Sequence, residues 1–244
     1  MSASLERTRF NLNRTRGGAG RWDRGEHVAL LKRVRRAPAC GLIVLAGLAL
    51  LAPAVAPAQD VARGEQLFDT CVPCHGQDGG GSVDRKAPVI AALPAWYIET
   101  QIGNFKAGRR GYHADDTAGL LMRPMAMSLF TDADVKAIAA YVSSLPPVPP
   151  VDLGGGDATK GQTSYAVCLA CHGPDGMGNE ALKSPPIVRQ GDWYIITQLN
   201  NFKSGRRGAA EGDVTGMQMR GMSATLADEQ AVQDVAAYIR TLRK

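Results

Sequence analysis

Aromatic side chains make up only 6% of the 244 residues, and no segment shows the period-2 alternation of a half-buried strand. The first shortage excludes a core filled by large rings, and the second leaves helices as the regular structure. Glycine and proline are plentiful, at 28 and 14 residues, so small loop-rich units are expected that need something besides side chains to complete their cores. Histidine and cysteine are rare, at four and five residues. A basic surplus is missing from most of the chain as well. Residues 1–58 carry ten of the 28 Lys/Arg and three of the 23 Asp/Glu, leaving 18 basic against 20 acidic residues beyond them. The formal charge of +5 therefore belongs to the N-terminal segment, which excludes a nucleic-acid surface on the rest.

A comfortable membrane span is lacking too. The basic stretch ending "LKRVRR" runs into "CGLIVLAGLALLAPAVAPAQD", whose apolar heart, about Cys40 to Ala52, is short for a bilayer. "APA" at Ala56 to Ala58 supplies the small-residue pattern of an export signal, so the cut is predicted after Ala58 and the mature protein is expected in the periplasm. A retained anchor, giving membrane association through an uncleaved N-terminus, is the alternative; Pro53 and Pro57 weigh against it. No lipobox-like context precedes Cys40, so lipidation is not expected.

What the sequence does contain is a repeat. A shift of 97 residues brings Gly64 onto Gly161, Cys71 and Cys74 onto Cys168 and Cys171, and His75 onto His172. It also brings "WYIETQIGNFKAGRRG" from Trp96 onto "WYIITQLNNFKSGRRG" from Trp193, and "AAYVSSL" from Ala139 onto "AAYIRTL" from Ala236. Two copies are too few for a solenoid, so two similar globular units are predicted, at 59–146 and 157–244. The segment 147–156 between them reads as a semi-rigid Pro-rich linker ending in a flexible Gly turn. Within each unit the apolar spacing is helical. Val135, Ile138, Ala139 and Val142 share one face behind a Thr131 cap, and Val232, Val235, Ala236 and Ile239 repeat the pattern. The predicted fold class is all-α.

Four of the five cysteines and two of the four histidines lie in "CVPCHG" and "CLACHG". The pattern C-x-x-C-H lets two thiols add to the vinyl groups of a haem while the adjacent His meets the iron. A redox dithiol does not need a His twice over, a zinc shared by both pairs does not explain a full set in each repeat, and a disulfide across two residues closes too short a loop to stabilise much. Two covalently bound haem c groups are therefore predicted, through Cys71, Cys74, Cys168 and Cys171, with His75 and His172 as axial ligands. Each would also fill the core of a unit poor in large side chains.

His113 is the one mature His outside the motifs, and its repeat partner is Ala210, so two bis-His haems are excluded. Methionine is the other axial candidate. Only Met122/Met219 and Met125/Met222 are paired by the repeat, so one pair is expected on iron and the other in packing.

These residues resemble the dihaem class I cytochromes c of the cytochrome c4 group. The likeness covers about Gly64 to Leu145 and Gly161 to Leu242, and rests on the early Gly, "CxxCHG", Pro88 and Pro185, "WY…Q…NFK.G.RG", the Met loop and "AAY". The resemblance implies two tandem class I cytochrome c-like domains, each wrapped around a covalently bound haem. It implies Met122 and Met219 as the ligands, with Met125 and Met222 as runners-up. Pro88 and Pro185 would orient His75 and His172 through their carbonyls. The repeated arginines Arg109, Arg110, Arg206 and Arg207 are candidates for the haem propionates. The implied function is single-electron transfer between a respiratory or dehydrogenase donor and an acceptor such as a terminal oxidase, with redox proteins as partners. The alternative is a haem subunit of, or itself, a dihaem oxidoreductase such as a sulfur-compound dehydrogenase or peroxidase. Two near-identical, saturated iron sites favour the carrier.

Overall fold

The computed structural model describes residues 56–243, so most of the predicted export signal lies outside the described residues. Among the described residues the chain is helical, with no strand and two isolated antiparallel bridges, Ser82–Ala87 and Asn179–Ser184. The first half runs α1 (Ala56–Phe68), α2 (Val72–His75), α3 (Ala95–Lys106), α4 (Thr117–Met127) and α5 (Asp132–Ser144). The second half runs α6 (Ala158–His172), a single 3-10 turn (Glu180–Leu182), α7 (Asp192–Lys203), α8 (Val214–Ser223) and α9 (Glu229–Thr241). No described helix is long and apolar enough to cross a membrane.

The pairing of first and last helices organises each half. α1 crosses α5 and α6 crosses α9, and a glycine stands at each crossing. A Cβ on Gly64 would lie 2.1 Å from the Ala137 carbonyl oxygen, and one on Gly161 would lie 1.9 Å from that of Asp234. Only a residue without a side chain lets the backbones meet so closely. Beside these crossings Phe68 packs on Tyr141 and Tyr165 on Tyr238, both with ring centroids 5.2 Å apart. Ile98, Ile138 and Val142 complete the first core, and Ile195, Val235 and Ile239 the second. Each such side chain contributes about 1.5–3 kcal/mol on burial.

The start signals act as the sequence predicts. The Thr131 hydroxyl accepts from the Asp134 amide, and Asp132 and Asp134 fill the acidic first turn of α5. α1 and α2 are separate while α6 is continuous, and one residue accounts for it. Pro73 stands where α6 has Ala170; its ring clashes with the carbonyl four residues back, so α1 ends at Phe68 and the helix restarts at Val72.

Two expectations are corrected. The methionine segments, read as loops, are helices α4 and α8. Asp116 and Asp213 cap them by accepting from the Gly119 and Gly216 amides, ahead of runs of good helix formers such as Leu, Met and Arg. The glycine turn of the linker is not a flexible joint. Gly154, Gly155 and Gly156 all have positive φ, yet the turn is bonded down: Asp192 accepts from the Leu153 and Gly154 amides at 2.8 and 2.9 Å, and Arg240 donates to the Gly155 carbonyl at 3.0 Å.

Candidate functional site

Each half encloses a largely apolar cavity of about 200 Å³. The turn closing the Cys motif sets its chemistry. The His75 and His172 rings are buried, and each uses Nδ1 to reach the carbonyl of Pro88 or Pro185 at 3.0 Å. A carbonyl accepts, so Nδ1 carries the proton and Nε2 keeps its lone pair free. Burial lowers both imidazoles below the usual histidine value, only partly offset by the bond to the proline carbonyl, so both are neutral at pH 7. Gly81 and Gly178 hold the proline in place. Both have positive φ, and a Cβ there would sit 2.7 Å from the Pro88 or Pro185 oxygen.

The four thiols are free, with Cys71 and Cys168 half-buried and Cys74 and Cys171 exposed. Burial, with the second thiol nearby, pushes Cys71 and Cys168 up to about 11. Such thiols are protonated at neutral pH, which is the reverse of a reactive redox dithiol. The two pairs line separate cavities, so they do not converge on one zinc.

The methionine helices form another part of each lining. Met122 and Met125 both line the first cavity, and Met219 and Met222 the second. Within each pair the first is half-buried and the second is exposed, Met125 at 39% and Met222 at 43%. Lysines from the preceding helices tie these segments down, Lys106 donating to the Leu129 carbonyl and Lys203 to that of Leu226.

The arginine pairs separate. Arg110 and Arg207 are buried and line the cavities, whereas Arg109 and Arg206 do not line them. Arg109 instead donates to the Asn104 side chain at 2.7 Å, and Arg206 lies 3.7 Å from Asp115. His113 also lines neither cavity; it is 3.9 Å from that same carboxylate.

Sequence reasoning missed a network that joins the two halves. Arg110 donates to Gln101 of its own half at 2.8 Å and to Gln198 of the other at 3.4 Å; Arg207 donates to Gln198 at 2.7 Å and to Gln101 at 3.0 Å. Asn104 reaches Asp213, and Asn201 reaches Asp116. Each of these six bonds has a mirror partner 97 residues away, so this network is pseudo-symmetric within one chain, while Tyr112 to the Gly205 carbonyl and Gln190 to the Val89 carbonyl, both at 2.8 Å, cross between the halves without one. Tyr97, Gln101, Tyr194 and Gln198 line both cavities, which therefore share this interface. The repeat of "WY…Q…N" was the available signal, but repetition alone does not tell an interface from a core.

The two guanidiniums find only neutral acceptors in this network, and the Nε of each is buried without a partner. Burial and the neighbouring charge of Arg110 depress Arg207 below its usual value. Two buried cations with idle donors call for anions. A haem, with an apolar body for the cavity, vinyl groups for the thiols and propionates for the arginines, fits each site.

The comparisons agree. The cytochrome c family model matches residues 61–146 and 158–243. The chain is 31% identical to the thiosulfate dehydrogenase electron acceptor of Stutzerimonas stutzeri over 179 residues, 69% of this chain and 76% of that one. It is 30% identical to cytochrome c4 of Azotobacter vinelandii over 199 residues, 76% of this chain and 90% of the relative. Among solved structures, reduced cytochrome c4 from Pseudomonas stutzeri superposes with a TM-score of 0.60 at 28% identity, over 74% of this chain and 97% of that chain.

Proposed function

The chain belongs to the cytochrome c family as a dihaem electron carrier of the cytochrome c4 type, holding two covalently bound haem c groups, and from that premise we propose how its residues divide the work. Cys71 and Cys74 form the thioethers of the first haem, Cys168 and Cys171 those of the second. His75 and His172 present Nε2 to the iron, held by Pro88 and Pro185. Met122 and Met219 supply the thioether sulfur. Their partial burial against the exposure of Met125 and Met222 supports this choice. Arg110 and Arg207 face the propionates, in place of Arg109 and Arg206, which lie outside both cavities. When bound, each haem supplies a one-electron ferric/ferrous couple.

The observation that carries the reading is a twofold coincidence: one cavity gathers two thiols, a neutral imidazole and a half-buried thioether, and the same set recurs 97 residues on. A His/Met pair leaves no open coordination position, so we read the chain as a carrier and not an enzyme. It works in the periplasm between a respiratory or dehydrogenase donor and an acceptor such as a terminal oxidase. The domains are 59–146 and 157–244, and residues 1–58 form the export signal. Replacing Met122 and Met219 singly by Ala tests the ligation. Each variant is expected to lose about half of the weak far-red iron–sulfur band and to turn one haem high-spin, while Met125→Leu and Met222→Leu keep both. An unchanged spectrum in the Ala variants overturns the assignment.

A further inference from the structure

The mouths of the two cavities differ, and the difference points to a docking surface on the first half. Along and just beyond α4 the chain exposes Leu121 at 70%, Met127 at 54% and Phe130 at 87%. The corresponding residues in the second half are Gln218, Ala224 and Ala227. Leu121, with the exposed Met125 and Ser128, lines the first cavity, so the segment that carries Met127 and Phe130 borders its opening. Arg85 and Lys86, both exposed, line the same cavity, and Arg85 is replaced by Leu182 in the second half. The one carboxylate in the first lining, Asp116, is buried and engaged as the α4 cap. The lining of this opening exposes apolar groups and two cations, and the neighbouring exposed carboxylates, Asp84 and Asp132, stand outside it, which matches one kind of partner.

Resting on the carrier reading, we infer that the ridge Leu121–Met127–Phe130 with Arg85 and Lys86 receives a redox protein that presents an apolar patch rimmed by carboxylates. Each encounter moves one electron. The partner is oxidised, this chain is reduced, and no bond forms or breaks. Apolar burial holds the encounter complex, and the two cations accelerate its formation at low salt.

Thiosulfate dehydrogenase, the enzyme after which the Stutzerimonas relative is named, is the probe. The oxidised chain is mixed with the dehydrogenase and thiosulfate, and its reduction is followed by stopped flow. The double variant Met127→Ala, Phe130→Ala is expected to lower the second-order rate about tenfold. The mirror variant Ala224→Met, Ala227→Phe should react as the wild type does. Arg85→Leu should slow the reaction about threefold at low salt and not at high salt. Met127 and Phe130 line neither of the two described cavities, so reduction of the double variant by ascorbate and its far-red band should be unchanged. A double variant that reacts at the wild-type rate overturns the inference, as does a wild type that takes no electrons from the dehydrogenase. Sedimentation showing a wild-type dimer that the double variant abolishes would assign the ridge to a second copy and overturn it too. Loss of the far-red band from the wild type itself would instead remove the carrier reading beneath it.

Discussion

The two halves are the same machine anchored differently. In the first half α3 begins with Pro94 and Ala95, and nothing from the linker bonds there; in the second half α7 begins with Asp192, which gathers the linker. That carboxylate, 1% exposed, also pairs with Arg240, while Asp152 accepts from the Asp192 amide and pairs with Arg243. The first-half counterparts of Asp192, Arg240 and Arg243 are Ala95, Ser143 and Pro146. A second contrast lies behind the Cys-x-x-Cys-His turn. The Tyr165 hydroxyl donates to the Gly173 carbonyl at 2.7 Å, one residue past His172, whereas Phe68 has no hydroxyl to offer Gly76. Thiols, imidazole, proline carbonyl and methionine are repeated; anchorage, hydroxyl support and mouth are not. Duplication kept the residues proposed for the haem and let the anchorage, the hydroxyl support and the cavity mouth diverge.

The comparison breaks most visibly at the helix crossings. Gly64→Val and Gly161→Val each place a side chain onto a backbone carbonyl and are expected to cost about 3 kcal/mol or more in thermal unfolding. The effect should be similar in both halves, since both crossings are equally close.

Next is Asp192→Asn, expected to cost about 2 kcal/mol by leaving Arg240 without its anion. No first-half variant reproduces it. Burial pushes the Asp192 carboxyl up, but the bonds from Leu153, Arg240, Gly154 and Trp193 outweigh this and hold it below the usual carboxylate value. A depressed folded value gives stability that is complete above the unfolded value, about 3.9, and is lost as pH falls through the lower folded one. The gap between wild type and variant should therefore be full at pH 7 and close in acid.

The smallest effect sharpens the comparison. Tyr165→Phe makes the second half resemble the first at a cost of about 1 kcal/mol. Burial holds this phenol up at about 12, so it remains a donor across the accessible pH range. Spectroelectrochemical titration should show the second haem moving toward the potential of the first, with the first unchanged. A shift in both, or in neither, removes the role assigned to the hydroxyl.

Much of the site was legible because it is local. Cys71, Cys74 and His75 sit within one turn, and the Thr131 cap and the Val135–Val142 face follow from spacing along one helix. The methionine helices were misread as loops because their caps, Asp116 and Asp213, precede glycine-containing turns that look like breakers in sequence. The linker glycines were misread for another reason. Their partners, Asp192 and Arg240, lie 38 and 85 residues further on, and nothing in a Pro/Gly stretch announces them.

The sequence by itself determined that two haems are tethered, that a histidine adjoins each pair of thiols, and that a repeated methionine pair stands in each half, because the attachment motif and the repeat are encoded within a few residues. Tertiary structure alone decided which arginine of each neighbouring pair turns into the cavity, that Gln101 and Gln198 exchange hydrogen bonds across the halves, and that the two openings differ. Those outcomes depend on the packing of elements about a hundred residues apart, where a small rotation of a helix exchanges a buried donor for an exposed one.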